Sequence, residues 1–114
     1  MAISDELNVI VCVCVAAVRI GGTEYVERGE PIQLRCNASG KYDPPHDVEW
    51  LRNESPVRSD PSSGVLVAKK IDAKYLLSVL TIKHSRFSDA GEYVCITSNQ
   101  DTASVMVHVL SGMC

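Results

Sequence analysis

Between Thr23 and Leu110 the chain consists of short segments in which apolar and polar residues alternate, each closed by a cluster of turn-forming residues. This period of two restricts the fold more than any other feature. Ile32, Leu34 and Cys36 alternate with Gln33 and Arg35, and Val48 and Trp50 alternate with Asp47 and Glu49, as strands buried on one face do. A short strand is predicted around 24–26, and longer ones over 65–70, 75–83, 91–99 and 102–110. The segment 37–46 holds Ser39-Gly40, Asp43 and Pro44-Pro45 and breaks into a loop. A second loop, 53–64, crosses between sheets or holds a very short edge strand. No helical period is sustained. About seven strands in one small unit predict an antiparallel sandwich or barrel.

At 114 residues the chain allows one domain, and Lys+Arg 11 against Asp+Glu 14 leaves a net charge of -3. The broad basic surface that nucleic acid requires is therefore not expected. Ahead of the alternating region stands an unbroken apolar run, Val9–Val18, shorter than the roughly 18 to 20 residues that span a bilayer. Its length suits a secretory leader, and Val15-Ala16-Ala17 suits the cleavage preference, so residues 1–17 are expected to be a signal peptide. The residues before it, Ser4-Asp5-Glu6, lack the usual positive charge, and the competing reading is an extra N-terminal strand. The domain proper is expected over 18–111, with 112–114 a tail. Five cysteines are an odd number, so at least one cannot pair within the chain.

Trp50 stands 14 residues after Cys36, and Cys95 stands 59 after it. The approach to Cys95 reads Asp89-Ala90-Gly91-Glu92-Tyr93-Val94-Cys95, and Leu80-Thr81-Ile82 precedes Asp89 by nine residues. Together these motifs resemble the immunoglobulin superfamily, over about Gly22 to Leu110. The resemblance implies a Greek-key β-sandwich of about seven to nine strands, of intermediate or short variable type. It implies a Cys36–Cys95 bridge between sheets with the Trp50 indole packed on it, and a Tyr93 hydroxyl turned back to upstream backbone. Asp89 is expected to pair with a basic residue, for which Lys69, Lys70 and Arg58 are candidates. Gly91 supplies a turn conformation closed to residues with a Cβ. The chain departs from the pattern at Ser85, where an apolar residue is usual, with Phe87 two residues on, so packing before Asp89 is expected to differ.

No catalytic constellation is visible. His46, His84 and His108 stand apart without metal-ligand partners and read as solvated surface histidines. Gly21-Gly22 opens no helix, and there is no nucleophile elbow. No cofactor, metal or small-molecule substrate is expected. Two sequons, Asn37-Ala38-Ser39 and Asn53-Glu54-Ser55, are candidate glycan acceptors.

Strand parity yields a candidate binding face. With Trp50, Tyr93, Cys95, Val105, Val107 and Val109 inward, Leu51, Val94, Ile96, Met106 and His108 point outward from one sheet as an apolar stripe. Leu77 and Val79 do the same, as a second choice, on the other sheet. The resulting expectation is a secreted or cell-surface recognition module that binds protein, homophilically or heterophilically. A soluble immune decoy and an intracellular structural spacer are the competing readings. Cys12 and Cys14 fall inside the apolar run. Cys114, left over, is either a link between two chains or the mark of a longer chain cut there.

Overall fold

The computed structural model describes residues 18–39 and 44–111; the readings of residues 1–17, of the 40–43 part of the first loop, and of the tail 112–114 with Cys114 lie outside them. Nine strands are present among the described residues: β1 Val18–Gly22, β2 Tyr25–Glu27, β3 Ile32–Ala38, β4 Val48–Arg52, β5 Ser55–Val57, β6 Val65–Ile71, β7 Leu76–Ile82, β8 Gly91–Thr97 and β9 Thr102–Leu110. They form a four-stranded sheet, β1-β3-β7-β6, and a five-stranded sheet, β2-β9-β8-β4-β5. Beyond the seven predicted strands, the two additions are β1, which begins where the apolar run ends, and β5, the short edge strand that the 53–64 loop allowed.

Period two is realised most fully in β3 and β7, whose successive residues alternate between buried and outward positions. Ile32, Leu34, Cys36 and Ala38 of β3, with Leu80 and Ile82 of β7, meet Trp50, Tyr93, Cys95 and Val107 from the facing sheet, all nearly inaccessible. Each large aliphatic side chain sealed in this way contributes about 1.5–3 kcal/mol.

One pairing departs from the all-antiparallel expectation. β1 lies antiparallel to β3 in one sheet, whereas β2 lies parallel to β9 in the other. The chain changes sheets at Gly22, whose φ is +130° and where a Cβ would stand 2.2 Å from the Gln33 carbonyl oxygen. The crossing is then fixed by Thr23, whose N–H donates to the Gln33 carbonyl at 3.0 Å and whose hydroxyl accepts from the Gln33 N–H at 3.2 Å. Gly22→Ala is accordingly expected to cost about 2 kcal/mol. Gly21→Ala, which meets nothing within 4 Å, should be nearly neutral. Urea unfolding of the two variants checks the contrast.

The open edge of β6 is covered locally. Asp60 and Val65 exchange both backbone hydrogen bonds, at 2.7 and 3.0 Å, and the Val67 N–H donates to Ser59 Oγ at 2.8 Å. Lys69 and Lys70 follow on the remaining stretch, so the edge is poorly suited to pairing with another chain.

The departure at Ser85 has a structural reason. Ser85 is buried, and its hydroxyl donates to the Glu27 carbonyl at 3.2 Å and accepts from the Gly29 N–H at 3.2 Å. A polar residue replaces the usual apolar one because it ties the turn after β2 to the turn after β7. Phe87, freed from the core, is half exposed beneath the Arg28 guanidinium, 5.2 Å from its ring centre.

Candidate recognition surface

The interior fixes how the outer faces are presented. Cys36 and Cys95 are bonded, with their Cα atoms 6.5 Å apart. Beside them the Trp50 indole N–H donates to Ser78 Oγ at 2.9 Å, and the Ser78 hydroxyl donates to the Ala68 carbonyl at 3.1 Å. This relay runs from one sheet through the core to the edge of the other. Its one local sign is a serine at an inward position between Leu76 and Leu80, which belongs to none of the motifs named above.

Tyr93 donates its hydroxyl hydrogen bond to the Asp89 carbonyl. Burial pushes the Tyr93 phenol above its ordinary 10.0, and the nearby Arg52 partly opposes that shift. Because the folded value lies above the unfolded one, the group's contribution is intact below about pH 10 and is lost as pH rises through the folded value. Tyr93→Phe should therefore cost about 1 kcal/mol at neutral pH through the unpaired carbonyl. It should also flatten the decline in stability above about pH 10, as read by chemical unfolding across alkaline pH.

The expected partners of Asp89 are corrected. Its carboxylate binds Arg52, Nη1 to Oδ1 at 3.2 Å, and accepts the Arg86 N–H at 2.8 Å. The β4–β8 register sets Arg52 opposite Tyr93, at the end of the sheet where Asp89 lies. Lys69 sits opposite Ser78 on β6 and reaches Asp47 instead, at 3.1 Å. Lys70 points outward, and Arg58 lines a groove of about 670 Å³ at the opening between β5 and β6, floored by Val48, Trp50, Val57 and Val67. The Asp47 carboxyl is held below its usual range by the Val48 N–H and then by Lys69.

Asn53 has a structural task that its sequon concealed. It opens the β4–β5 turn at positive φ, as does Glu54. Its Oδ1 accepts the Glu92 N–H at 3.1 Å, and its amide occupies the space a Cβ on Gly91 would need, 2.5 Å away. Gly91 is thus required both by its φ of +142° and by this side chain. Asn37, by contrast, is exposed on the outer side of β3, opposite Arg19 and Leu77.

On the five-stranded sheet the residues named from parity share the outer face. Leu51 lies opposite Val94, with the exposed Pro56 on its other side, and Leu51, Val94 and Ile96 are half-buried by their neighbours. Accessibility grows toward β9 and β2, where Met106 is 50% exposed and His108 stacks on Tyr25 with ring centres 4.9 Å apart. Tyr25 at 67% and Leu110 at 46% exposure extend the stripe and were missed. Leu110 has the parity of Met106 and His108 and was legible; Tyr25 was not, because its sheet depends on the crossing at Gly22. Leu77 and Val79 of the four-stranded sheet are half-buried too, but lie among Arg35, Asn37 and Lys70. His46 and His84 are exposed.

With this geometry, a disulfide-bridged sandwich whose indole and tyrosine brace the bridge, the matching family model is the immunoglobulin domain, over residues 19–99. The chain belongs to the immunoglobulin-domain family. Mouse Hemicentin-1 is 36% identical over 83 residues, covering 68% of this chain and 1% of that protein. Bovine Neural cell adhesion molecule 1 is 30% identical over 96 residues, covering 74% and 11%. Muscle M-line assembly protein unc-89 of Caenorhabditis elegans is 35% identical over 77 residues, covering 68% and 1%. Among solved structures, that of Dpr2 Ig1-Ig2 in complex with DIP-Theta Ig1-Ig3 superposes with a TM-score of 0.70 at 21% identity, covering 82% of this chain and 49% of the other. The chain thus spans a small fraction of the curated relatives it matches.

Proposed function

We propose that this immunoglobulin domain is an extracellular recognition module of the cell surface or secreted space, docking a protein partner in adhesion or cell-cell recognition through the outer face of its five-stranded sheet. The observation that carries the reading is the gathering of Tyr25, Met106 and Leu110, each close to half exposed or more, beside Leu51, Val94 and Ile96. A contiguous apolar face on a small domain marks a contact surface. The Cys36–Cys95 bond suits an oxidising compartment, and a bovine relative is named for cell adhesion. No part of this role calls for catalysis.

Asn37, open to solvent on the opposite sheet, would carry a glycan away from the docking face. Asn53 is the second acceptor. The reading as an intracellular spacer draws on the muscle M-line relative. Non-reducing mass spectrometry of the natural protein separates the two: an oxidised Cys36–Cys95 pair with glycan at Asn37 is expected, and free thiols without glycan would establish the spacer.

A further inference from the structure

Charge is segregated between the two outer faces. On the four-stranded sheet the outward positions include Arg19, Arg35 and Lys70, with no Asp or Glu among the described residues there. On the five-stranded sheet the outward positions include Glu27, Glu49 and Glu92, with no Lys or Arg among the described residues there. The net charge of -3 does not account for this, because the same chain makes one face wholly cationic and the other wholly anionic.

The carboxylates are set within the apolar stripe. Glu49 lies opposite Ile96, Glu92 opposite Met106, and Glu27 opposite Leu110. The row Pro56, Leu51, Val94 is bracketed along the strands by Glu49 on one side and Glu92 on the other.

From this arrangement, and resting on the proposed use of this face, we infer that its partner is a different protein whose contact surface is apolar and carries lysine or arginine, and that the face does not pair with its own copy. The argument is independent of the crossing angle. If two copies met through this sheet, each carboxylate would lose water with no lysine or arginine opposite it, since the outward positions supply neither and the face's histidine, His108, is stacked on Tyr25. A desolvated charge without a counter-charge strongly opposes association. A cationic, apolar partner turns the same groups into the source of orientation and selectivity.

The domain itself supplies the probe. The double variant Glu49→Lys/Glu92→Lys keeps every apolar side chain of the stripe and carries the missing cations. In sedimentation velocity, wild type alone and variant alone are expected to remain monomeric, and an equimolar mixture is expected to form a heterodimer. Its affinity should fall roughly tenfold as salt rises from low to high ionic strength. Self-association of the wild type, through this face or onto the Arg35 face of another copy, would overturn the inference, as would a mixture that stays monomeric. Adding Val94→Glu/Ile96→Glu to the wild-type member tests the underlying reading separately. A heterodimer that survives it would show that the pairing lies elsewhere, so that the proposed use of the face fails and the inference fails with it.

Discussion

Replacing Cys36 and Cys95 together by alanine is expected to remove about 4 kcal/mol of stability, most of what a domain of this size possesses. The bond closes a sequence separation of 59 residues, so its loss restores a large conformational freedom to the unfolded chain. It also leaves a void at the centre of the core, where Leu34, Trp50 and Tyr93 are nearly inaccessible. Urea unfolding should show either a midpoint shifted to very low denaturant or no cooperative transition at physiological temperature. Reduction of the wild type should reproduce the effect without the void. Reduced protein that unfolds at the wild-type midpoint would contradict this assignment of where the stability resides.

The second large effect is expected at Trp50. Trp50→Ala should cost about 3–5 kcal/mol, from the lost contact area and the cavity left behind. It also removes the donor to Ser78 Oγ. Trp50→Phe isolates that second part: much of the volume is kept, the N–H is lost, and the cost should be about 1–2 kcal/mol. Ser78→Ala should then cost less in the Trp50→Phe background than in the wild type, because the bond between the two groups is already gone and only that from Ser78 to the Ala68 carbonyl remains to be lost. Full additivity of the two substitutions in thermal unfolding would mean that the indole does not work through Ser78.

The elements most legible in the sequence were those whose signal is local. The alternation in β3 and β7, the Asp89 to Cys95 motif, and the break at Pro44-Pro45 each depend on a few adjacent residues. Long-range choices were harder to read. The partner of Asp89 depends on the register between β4 and β8, which brings Arg52 to it, and no local pattern distinguishes Arg52 from Arg58 or Lys69. The parallel placement of β2 depends on a sheet change at Gly22 enforced by the Gln33 carbonyl eleven residues on. Asn53 read as a sequon, although its amide also fills the space above Gly91 on a neighbouring strand. The candidate face followed the same division. Parity within β4, β8 and β9 placed Leu51, Val94, Ile96, Met106 and His108 together, whereas Tyr25 joined them only through the tertiary path of the chain.

The charge segregation belongs to neither class. Each of Arg19, Arg35, Lys70, Glu27, Glu49 and Glu92 is an ordinary outward residue of its own strand, and their grouping by sign appears only when the strands are assembled into sheets.

The most direct test of the proposed face uses soluble tetramers of the domain stained against cells displaying surface proteins from the same source. Val94→Glu/Ile96→Glu is expected to abolish staining while shifting the melting temperature by only a few degrees. Leu77→Glu/Val79→Glu, on the other sheet, should leave staining intact. Full staining by the Val94→Glu/Ile96→Glu variant, or loss of staining only with the Leu77→Glu/Val79→Glu variant, would contradict the placement of recognition on the five-stranded sheet.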